Sequence, residues 1–274
     1  MKKSYLILLL IIFGFTNKSK KKTDFEDLKL NGNVKSIIEN TYKAEEKFGE
    51  ISKGEKLITL IDTENHTIIF NEQGNIVEEK NHLIYYKIQQ IYDNQNNKEI
   101  VNTYDKNNKL TSQTKYKYDS NGNFIEYNQY YEGKLVHKGK FKYDDEEKPI
   151  EHNFYDQTGK LQSKRKNIYK NKEIVDSKDY DGDGNLEFQT VFEYDSNGNE
   201  TKMTNFNSLG DINQKIMYKY NSENIVIESI DLYNNISKKE KYKYIFDSNK
   251  NWIQKIVFED EIPMKIIERN IQYN

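Results

Sequence analysis

Cysteine is absent from all 274 residues of the chain. Its absence excludes disulfide bonds, thiolate metal sites, cysteine nucleophiles and a lipid anchor attached to an N-terminal cysteine. Alanine occurs only as Ala44, and strong helix formers other than Lys and Glu are scarce, so long helices are not expected. Proline occurs only at Pro149 and Pro263, and no Pro-, Ser- or Gly-rich linker interrupts the chain. We therefore expect one repetitive domain that is not a Cys-anchored lipoprotein.

Motifs for catalysis and for cofactor binding are missing as well. The four histidines, His66, His82, His137 and His152, share no metal-ligand spacing. There is no His-Glu-x-x-His, no Gly-x-Ser-x-Gly and no Gly-rich phosphate loop. We therefore predict no catalytic residue, no resident metal and no cofactor. Two ordinary carboxylates are enough for a glycosidase, so a cryptic glycan-acting enzyme stays open as an alternative.

A strong excess of positive charge is also lacking. The chain has 42 basic and 44 acidic residues, and residues 1–22 carry six lysines and no acid. The remainder therefore has 36 basic and 44 acidic residues, a net charge of −8. Because nucleic-acid binding needs clustered cations against phosphates, we expect no nucleic-acid partner.

What the chain does have is a repeated phrase. Residues 118–123 read YDSNGN and return as residues 194–199, and looser copies begin at many other aromatic residues. An Asp or Asn in the first position accepts bonds from later backbone amides, and Gly or Asn then adopts a left-handed conformation. The phrase is therefore typical of a hairpin turn built from a type I turn and a left-handed residue.

The residues between these turns alternate strictly between aromatic and charged side chains. Examples are Tyr116-Lys117-Tyr118, Phe141-Lys142-Tyr143 and Tyr218-Lys219-Tyr220. Successive side chains on a strand point to opposite faces, so one face carries rings and the other carries charges. This pattern is typical of antiparallel strands that are covered on one face and wet on the other.

The spacing of the turns predicts the layout of the strands. From Tyr104 to Phe258 the aromatic turn entries follow each other at steps of 11 to 14 residues. One strand and one turn fill each step, and strands this close in sequence are joined as antiparallel hairpins. We predict an all-β fold: a long antiparallel meander of β-hairpin repeats, forming a strongly twisted or curved sheet that is open or rolled up.

The first residues differ from the rest of the chain. A positive start and an apolar run over residues 5–15 are too short to span a bilayer and suit a secretory signal. We expect residues 1–22 to be a signal peptide or N-terminal hydrophobic segment, 23–70 to be capping strands, and 71–274 to be the repeat array. Within the cap, residues 45–56 are predicted as a polar loop, and 57–61 with 67–70 as a hairpin. The protein is expected to be exported, with no transmembrane domain in the mature chain.

The YDxxGN phrases resemble the YD repeats of RHS-type repeat proteins over residues 70–258. The closing residues 251–255, with Glu268-Arg269, are similar to small exported YD-like proteins of Bacteroidota that have no known function. The resemblance implies an all-β, non-catalytic framework; in large RHS proteins such hairpins wrap into a shell. This chain is too short for a large enclosure, so a curved open sheet or small barrel-like roll is expected.

Residues 179–187 contain the sharpest local signal for a metal. Oxygen-bearing side chains at Asp179, Asp181, Asp183 and Asn185 match the start of an EF-hand calcium loop. The bidentate Glu of that motif is replaced by Thr190, and the same residues are in phase with the repeated turn. Two interpretations therefore remain, a weak calcium site and one more copy of the hairpin turn.

Breaks in the alternation are the candidate ligand contacts. Tyr85-Tyr86 and Tyr130-Tyr131 double the aromatic residue, so one ring of each pair must point to the polar face. Trp252 is the only tryptophan and directly follows a turn. Exposed aromatic side chains can mark binding surfaces, although the rings also plug sheet edges.

From these observations we predict an exported cell-envelope protein that is a non-enzymatic binding or interaction module, with a protein or glycan partner. The alternative from another class is a structural shell or an immunity-like partner in a toxin system.

Overall fold

A computed structural model of the chain describes residues 22–57, 65–81, 86–234 and 236–274. The predicted signal over residues 1–22 therefore lies almost wholly outside the described residues. The described part is a short helix α1 (Asp24–Asp27) followed by strands. In these ranges no helix has the length and apolar character needed to cross a membrane.

The strands follow one another at the predicted spacing. Their bounds are β1 (Val34–Lys47), β2 (Glu50–Lys56), β3 (His66–Phe70), β4 (Ile76–Asn81), β5 (Tyr86–Tyr92), β6 (Lys98–Tyr104), β7 (Leu110–Tyr118), β8 (Phe124–Tyr131), β9 (Lys134–Tyr143), β10 (Pro149–Asp156), β11 (Leu161–Lys170), β12 (Glu173–Asp181), β13 (Leu186–Tyr194), β14 (Glu200–Asn207), β15 (Ile212–Tyr220), β16 (Val226–Tyr233), β17 (Ile236–Phe246), β18 (Trp252–Glu259) and β19 (Ile262–Tyr273). From β3 to β19 each strand pairs with the next in an antiparallel register, which confirms the predicted meander.

Strand β1 closes this meander into a barrel. One edge of β1 pairs with β19 from Val34 to Lys43, and the other edge pairs with β3 at Ser36–Ile38 and then with β2. All strands except β2 are therefore members of one closed ring of eighteen. The expectation of an open or merely rolled-up sheet is wrong. Closure satisfies the two edges that a meander would otherwise expose.

The repeated phrase forms the turn that its chemistry predicts. At residues 118–123 the Asp119 carboxylate accepts bonds from the backbone N–H groups of Asn121 and Asn123, at 2.9 and 2.8 Å. Gly122 adopts φ +85°, and the Asp119 N–H donates to the carbonyl of Asn123. In two copies that lack the glycine, Asn224 and Lys250 adopt the left-handed conformation instead. The turn is therefore kept, at the cost of some backbone strain.

A row of tyrosine hydroxyl groups links these turns at one end of the barrel. The hydroxyl of the tyrosine that precedes one turn donates to the carbonyl of a residue just after the neighbouring turn, at 2.7 to 3.2 Å. The donor and acceptor pairs are Tyr92 to Ile76, Tyr118 to Lys98, Tyr143 to Phe124, Tyr169 to Pro149, Tyr194 to Ile174, Tyr220 to Glu200 and Tyr244 to Val226. Each bond joins two adjacent strands that belong to different hairpins, and so fixes neighbouring hairpins to each other.

Residues 23–33, which we name the strap, cross this end of the barrel. Asp24 accepts from the Ile76 N–H at 2.6 Å, and Lys29 Nζ donates to the carbonyl of Asn224 at 2.8 Å. The arc of wall between those two points covers six to seven strands, roughly 30 Å at about 4.8 Å per strand. Four helical residues advance about 6 Å. Since this reach is much shorter than the arc, the strap must run as a chord inside the ring.

The strap therefore identifies the inner face of the sheet. Phe25 packs edge-on against Phe70 at 4.8 Å and joins a core of Val34, Ile37 and Ile68. These side chains share their face with the tyrosine rings, because alternation along the strands places Ile37, Ile271 and Tyr273 together. We name this inner surface the ring face and the opposite, outer surface the charged face.

The cap differs from its sequence-based description. Residues 45–56 are not a polar loop: β1 continues through Lys47, and β2 pairs with it to make a hairpin. Opposite charges distributed along both strands concealed their strand character in the sequence. The predicted pairing of 57–61 with 67–70 lies largely outside the described residues, and Thr67–Ile69 instead pair with β1 and β4.

Phe48 lies at the tip of the β1–β2 hairpin and has a backbone conformation that is unfavourable for phenylalanine. Its φ is +55°, that of Gly49 is +83°, and the ring is fully exposed. Two successive left-handed residues define a type I′ turn, which prefers Asn or Gly at the position of Phe48. A bulky residue in this region carries backbone strain.

Replacing Phe48 with Asn should therefore stabilise the protein. Phe48→Asn is expected to raise the free energy of unfolding by about 1 kcal/mol, because Asn tolerates the left-handed conformation. Urea unfolding followed by circular dichroism measures the change. Phe48→Ala is the matched control, since it removes the exposed ring and keeps the strain; equal stability of the two variants would contradict the explanation.

Removing a single tyrosine hydroxyl tests the row of bonds between turns. Tyr220→Phe deletes a 2.7 Å bond and leaves the carbonyl of Glu200 without that donor, so a loss of about 1 kcal/mol is expected. Tyr233→Phe is the control, because Tyr233 is exposed at the opposite end of the barrel. Equal losses in the two variants would show that these hydroxyl bonds do not stabilise the fold.

Candidate functional site

Charged side chains interrupt the ring face where the last strands meet β1. We name the ring-face side chains of β17, β18, β19 and β1 the seam wall. Register places Lys238 and Glu240 on β17, Lys255 and Glu259 on β18, Lys265 and Arg269 on β19, and Glu39 and Lys43 on β1. The wall holds five cationic groups and three carboxylates, so its local charge is positive although the domain as a whole is acidic.

The deepest part of the seam wall is an ion pair between β19 and β1. Arg269 Nε donates to Glu39 Oε1 at 2.7 Å, and both side chains are nearly buried. His66 Nε2 lies 3.6 Å from the other carboxylate oxygen of Glu39. Burial lowers the pKa of Arg269, and the Glu39 carboxylate acts in the opposite direction. This pair ties the closing strand to the end of the meander.

A second ion cluster lies nearer the other end of the wall. Glu240 and Glu259 are directly opposite each other on β17 and β18, and Lys238 Nζ contacts both, at 2.8 and 3.6 Å. Tyr242 also donates to Glu240 at 2.7 Å. Burial alone would raise the pKa of Glu240, but the bonds from Lys238 and Tyr242, together with the charge of Lys265, hold it below its ordinary value. The Glu240 carboxylate is therefore ionised and already bonded.

Between these clusters lies an open depression with a volume of about 320 Å³. It is lined by Tyr218, Val226, Glu240, Tyr242, Tyr244, Lys255, Val257 and Lys265. Three aromatic rings and two ammonium groups thus share one concave surface with one carboxylate. Ligand sites are commonly concave, largely apolar surfaces with a few polar groups that fix orientation. The depression is the candidate functional site.

The two lysines of the depression have different surroundings. Lys255 Nζ lies 5.4 Å from the centroid of the Trp252 ring and 6.0 Å from that of Tyr242. Lys265 stands directly opposite Lys43 in the β1–β19 register, and both side chains point to the ring face. Like charges opposite each other on a sheet are destabilising.

Trp252 borders the depression, but its ring is covered by neighbouring side chains. The Arg269 guanidinium carbon lies 3.4 Å from the ring centroid, and Tyr244 meets the ring edge-on at 6.1 Å. Its contribution to a ligand site is therefore to support Arg269 and Lys255. Its prediction as a ligand contact remains untested.

The other predicted contact residues are dispersed. Tyr130 lies on the charged face, as the doubled aromatic predicts, with Lys115 Nζ 5.6 Å from its ring centroid. Tyr131 is 55% exposed at the end of β8. Tyr86 lies on the ring face opposite Asn81, where burial raises its pKa, and Tyr85 is outside the described residues. The structure does not bring Tyr86, Tyr130 and Tyr131 together with Trp252.

The candidate calcium loop is used as a turn. The Asp181 carboxylate accepts from the backbone N–H groups of Asp183 and Asn185, as Asp119 does in its own turn. Asp179 is held by Arg165 in a two-pronged ion pair at 2.7 and 2.9 Å. Across the described ranges, no group of three or more acidic or histidine side chains is placed to hold a metal.

Sequence reasoning missed the depression itself. Its lysines are ordinary members of alternating strands, and only the register of β17, β18 and β19 places them beside the tyrosines. One feature of the sequence could have indicated it. In the alternating positions Glu240, Tyr242 and Tyr244 of β17, a carboxylate stands where the alternation predicts an aromatic ring. The pairing of β1 with β19 had no local signal at all.

Comparisons with known proteins identify no family. No protein-family model and no curated protein matches the chain. Among solved structures, a porin-like protein from Bacteroides uniformis aligns with 88% of this chain and 99% of its own, at 8% identity and a TM-score of 0.46. One from Bacteroides vulgatus gives the same coverage, 11% identity and a TM-score of 0.39. A TcdB2–TccC3 chain gives 10% identity and a TM-score of 0.29, with 16% of its length covered. These similarities carry no information on ligand or activity.

Away from the seam, the ring face is a close-packed aromatic cluster. His152 stacks on Phe141 with ring centroids 4.2 Å apart and an interplanar angle of 3°. Tyr127 covers Gly139, where any Cβ would meet the ring at 2.0 Å, so only glycine fits there. Burial lowers the pKa of His152 to about 4, with the Arg165 charge acting in the same direction and Asp179 opposing.

The neutral His152 predicts acid sensitivity. Since its pKa is about 4 folded and about 6.5 unfolded, proton uptake favours the unfolded chain, and stability falls as the pH drops from 6.5 to 4. The loss reaches up to about 3 kcal/mol. His152→Phe should keep the stack and lose less stability than wild type between pH 7 and pH 4.5 in urea unfolding. Parallel losses in the two proteins would show that His152 is not the group responsible.

Proposed function

We propose that this chain is an exported, non-enzymatic binding module of the cell envelope that holds a glycan in the depression of the seam wall. The observation that carries the proposal is the convergence of Tyr218, Tyr242 and Tyr244 with Lys255 and Lys265 on one concave surface. Aromatic rings supply apolar contact area at low entropic cost, and the charged groups orient a polar ligand.

The position of the site inside the ring supports a ligand smaller than a folded protein. The strap contacts the turns at one end, at Asn224 and Asn251, and so restricts approach to the site from that end. Export and envelope location rest on the apolar run at the start of the sequence. The proposed kinship with exported YD-like proteins of Bacteroidota rests on the repeated turn phrase.

A structural shell remains the second candidate, and closure of the sheet is the observation that favours it. A shell needs the ring but not the chemistry of the depression, so variants of Lys255 would leave its role intact. The absence of enzymatic activity is likewise a proposal. Glu240 and Glu259 face each other, yet both contact Lys238, an arrangement that supports an ionic cluster over an acid–base pair.

A glycan array with two matched variants tests the proposal. Wild type is expected to bind at least one glycan, Lys255→Ala to bind it at least tenfold more weakly, and Tyr130→Ala on the charged face to bind it unchanged. Circular dichroism checks that both variants fold. Absence of glycan binding by wild type, or equal binding by both variants, would overturn the proposal. If wild type releases reducing sugar from a glycan and Glu240→Gln does not, the protein is an enzyme and the proposal of a non-enzymatic binding module is wrong.

A further inference from the structure

We infer that the outer wall of the barrel carries a second binding surface, on strands β9 to β12, that binds a linear acidic polysaccharide. Its cationic groups are Lys140 on β9, Lys164 and Lys166 on β11, and Lys178 on β12, and we name them the lysine patch. The patch lies on the charged face, whereas the depression lies on the ring face of β15 to β19. The inference therefore goes beyond the proposed function and does not depend on it.

Register brings the four lysines of the patch close together. Lys166 and Lys178 are direct cross-strand partners, and Lys140 and Lys164 both lie opposite Asn153 of β10. Neighbouring strands are about 4.8 Å apart, and alternate residues of one strand are about 6.6 Å apart. The four Cα atoms therefore lie within an area of roughly 15 by 7 Å, with their side chains on one face.

Lysines outnumber carboxylates on this part of the charged face. Leaving out the residues that border a turn, the outward side chains of β9 to β12 include six lysines and two carboxylates, Glu151 and Asp176. The two lysines outside the patch are the ones that form ion pairs. Lys138 contacts Glu126 of β8 at 3.0 Å, and Lys142 contacts Glu151 at 2.7 Å. The positive charge in excess therefore belongs to the patch.

The lysines of the patch have only weak interactions of their own. Lys166 Nζ lies 5.8 Å from the centroid of the Tyr180 ring, and Lys164 acts on Glu151 through its charge without a direct contact. The other carboxylate, Asp176, accepts a bond from a glutamine of β13 at 2.9 Å. Among the described residues, no ion pair includes a lysine of the patch. An acidic ligand can therefore reach these ammonium groups without displacing a carboxylate.

A concave surface of about 340 Å³ adjoins the patch, and we name it the outer hollow. Lys164 and Lys166 form one side of it, Leu161 and the Tyr180 ring add apolar surface, and residues 181–184 of the β12–β13 turn complete it. A sugar ring can lie against the tyrosine through its C–H groups while its acidic substituent contacts the lysines. The outer hollow thus accommodates one acidic sugar of a longer chain.

The rims of the barrel favour a narrow chain over a membrane surface. Next to the patch, residues 144–147 at the strap end read DDEE, and Asp156, Asp181 and Asp183 lie in the turns at the other end. Strands of eight to ten residues place these rims roughly 30 Å apart. A flat anionic membrane against the wall would meet both acidic rims. A linear polyanion that crosses the strands meets the lysines alone.

The absence of arginine from the patch favours a saccharide over a nucleic acid. Arginine is the usual residue for phosphate recognition, because its planar fork makes paired bonds. The arginine of β11, Arg165, points to the ring face, where Asp179 holds it at 2.7 and 2.9 Å. Lysines act as point charges, and these suit carboxylate or sulfate groups spaced along a sugar chain.

Isothermal titration calorimetry of the full chain with defined oligosaccharides tests the inference. Hexagalacturonate has a carboxylate on each ring, and its full methyl ester has none. Wild type is expected to bind the acid about tenfold more tightly than the ester. The difference should shrink as NaCl rises from about 50 to about 500 mM, because salt screens exposed charges. Tighter binding of a heparin hexasaccharide would support the acidic class and assign the patch to sulfated chains.

Two triple variants with equal net charge locate the effect. The patch variant, Lys140→Gln with Lys164→Gln and Lys178→Gln, is expected to bind hexagalacturonate about tenfold more weakly than wild type. The control variant replaces three lysines of the charged face on other strands, and it should keep most of the wild-type affinity. Its substitutions are Lys87→Gln, Lys215→Gln and Lys243→Gln. Circular dichroism and melting temperature confirm that both variants fold.

A gain of affinity provides a test that loss of folding cannot imitate. Asp183 lines the outer hollow, so its carboxylate repels an acidic ligand there. Asp183→Asn should bind hexagalacturonate about threefold more tightly than wild type. Unchanged or weaker binding would place the ligand outside the outer hollow and overturn the assignment.

The results that overturn the inference are distinct from those that concern the depression. Equal affinity of wild type for hexagalacturonate and its ester would overturn it, and so would equal losses in the two triple variants, since net charge alone explains that pattern. Tighter binding of dodecathymidylate, or of phosphatidylglycerol vesicles, than of hexagalacturonate would show that the ligand class is wrong. The glycan site on the ring face is tested separately, through Lys255.

Discussion

Everything in this barrel depends on the pairing of β1 with both ends of the meander. A run of hairpins has two free edges, and each exposes unpaired N–H and C=O groups. Strand β1 satisfies both edges at once, through β3 on one side and β19 on the other. The most completely buried apolar side chains among the described residues, Val34, Ile37 and Ile267, lie at this seam. The strand that closes the barrel therefore also supplies much of its core, whereas most side chains of the repeats elsewhere are half-buried.

The hairpin turns could be predicted from the sequence, but the strand pairing that closes the barrel could not. Strand ends at Tyr118, Tyr143, Tyr194 and Tyr220 were predictable, because an Asp turn with a left-handed residue is encoded within six positions. Closure was not, since it pairs residues near the two ends of the chain and leaves no periodic signal. The β1–β2 hairpin was missed for a related reason. Its sequence is rich in Lys and Glu and has no alternating aromatic residues, so its polar composition indicated a loop although the residues form strands.

The tyrosine row shows why the repeated phrase begins with an aromatic residue. A phenylalanine would cover the same area, yet only the tyrosine hydroxyl reaches a backbone carbonyl of the adjacent strand, next to the neighbouring turn. Burial raises the pKa of these phenols, as it does for Tyr169 to about 12, so they remain protonated donors across the physiological range. The sequence displayed the ring at a fixed position, but the acceptor is main chain and therefore carries no residue signature.

The candidate site follows from the same constraint. A repeating unit places equivalent side chains at equivalent positions around a ring, so it cannot by itself create one distinctive place. The seam between β19 and β1 can create one. These two strands are not consecutive in the repeat, so the residues that face each other across the seam do not follow the repeat pattern. Arg269 with Glu39, and Lys265 with Lys43, are pairs made by closure alone. Closure of the sheet therefore makes one wall of the barrel chemically different from the repeats around it.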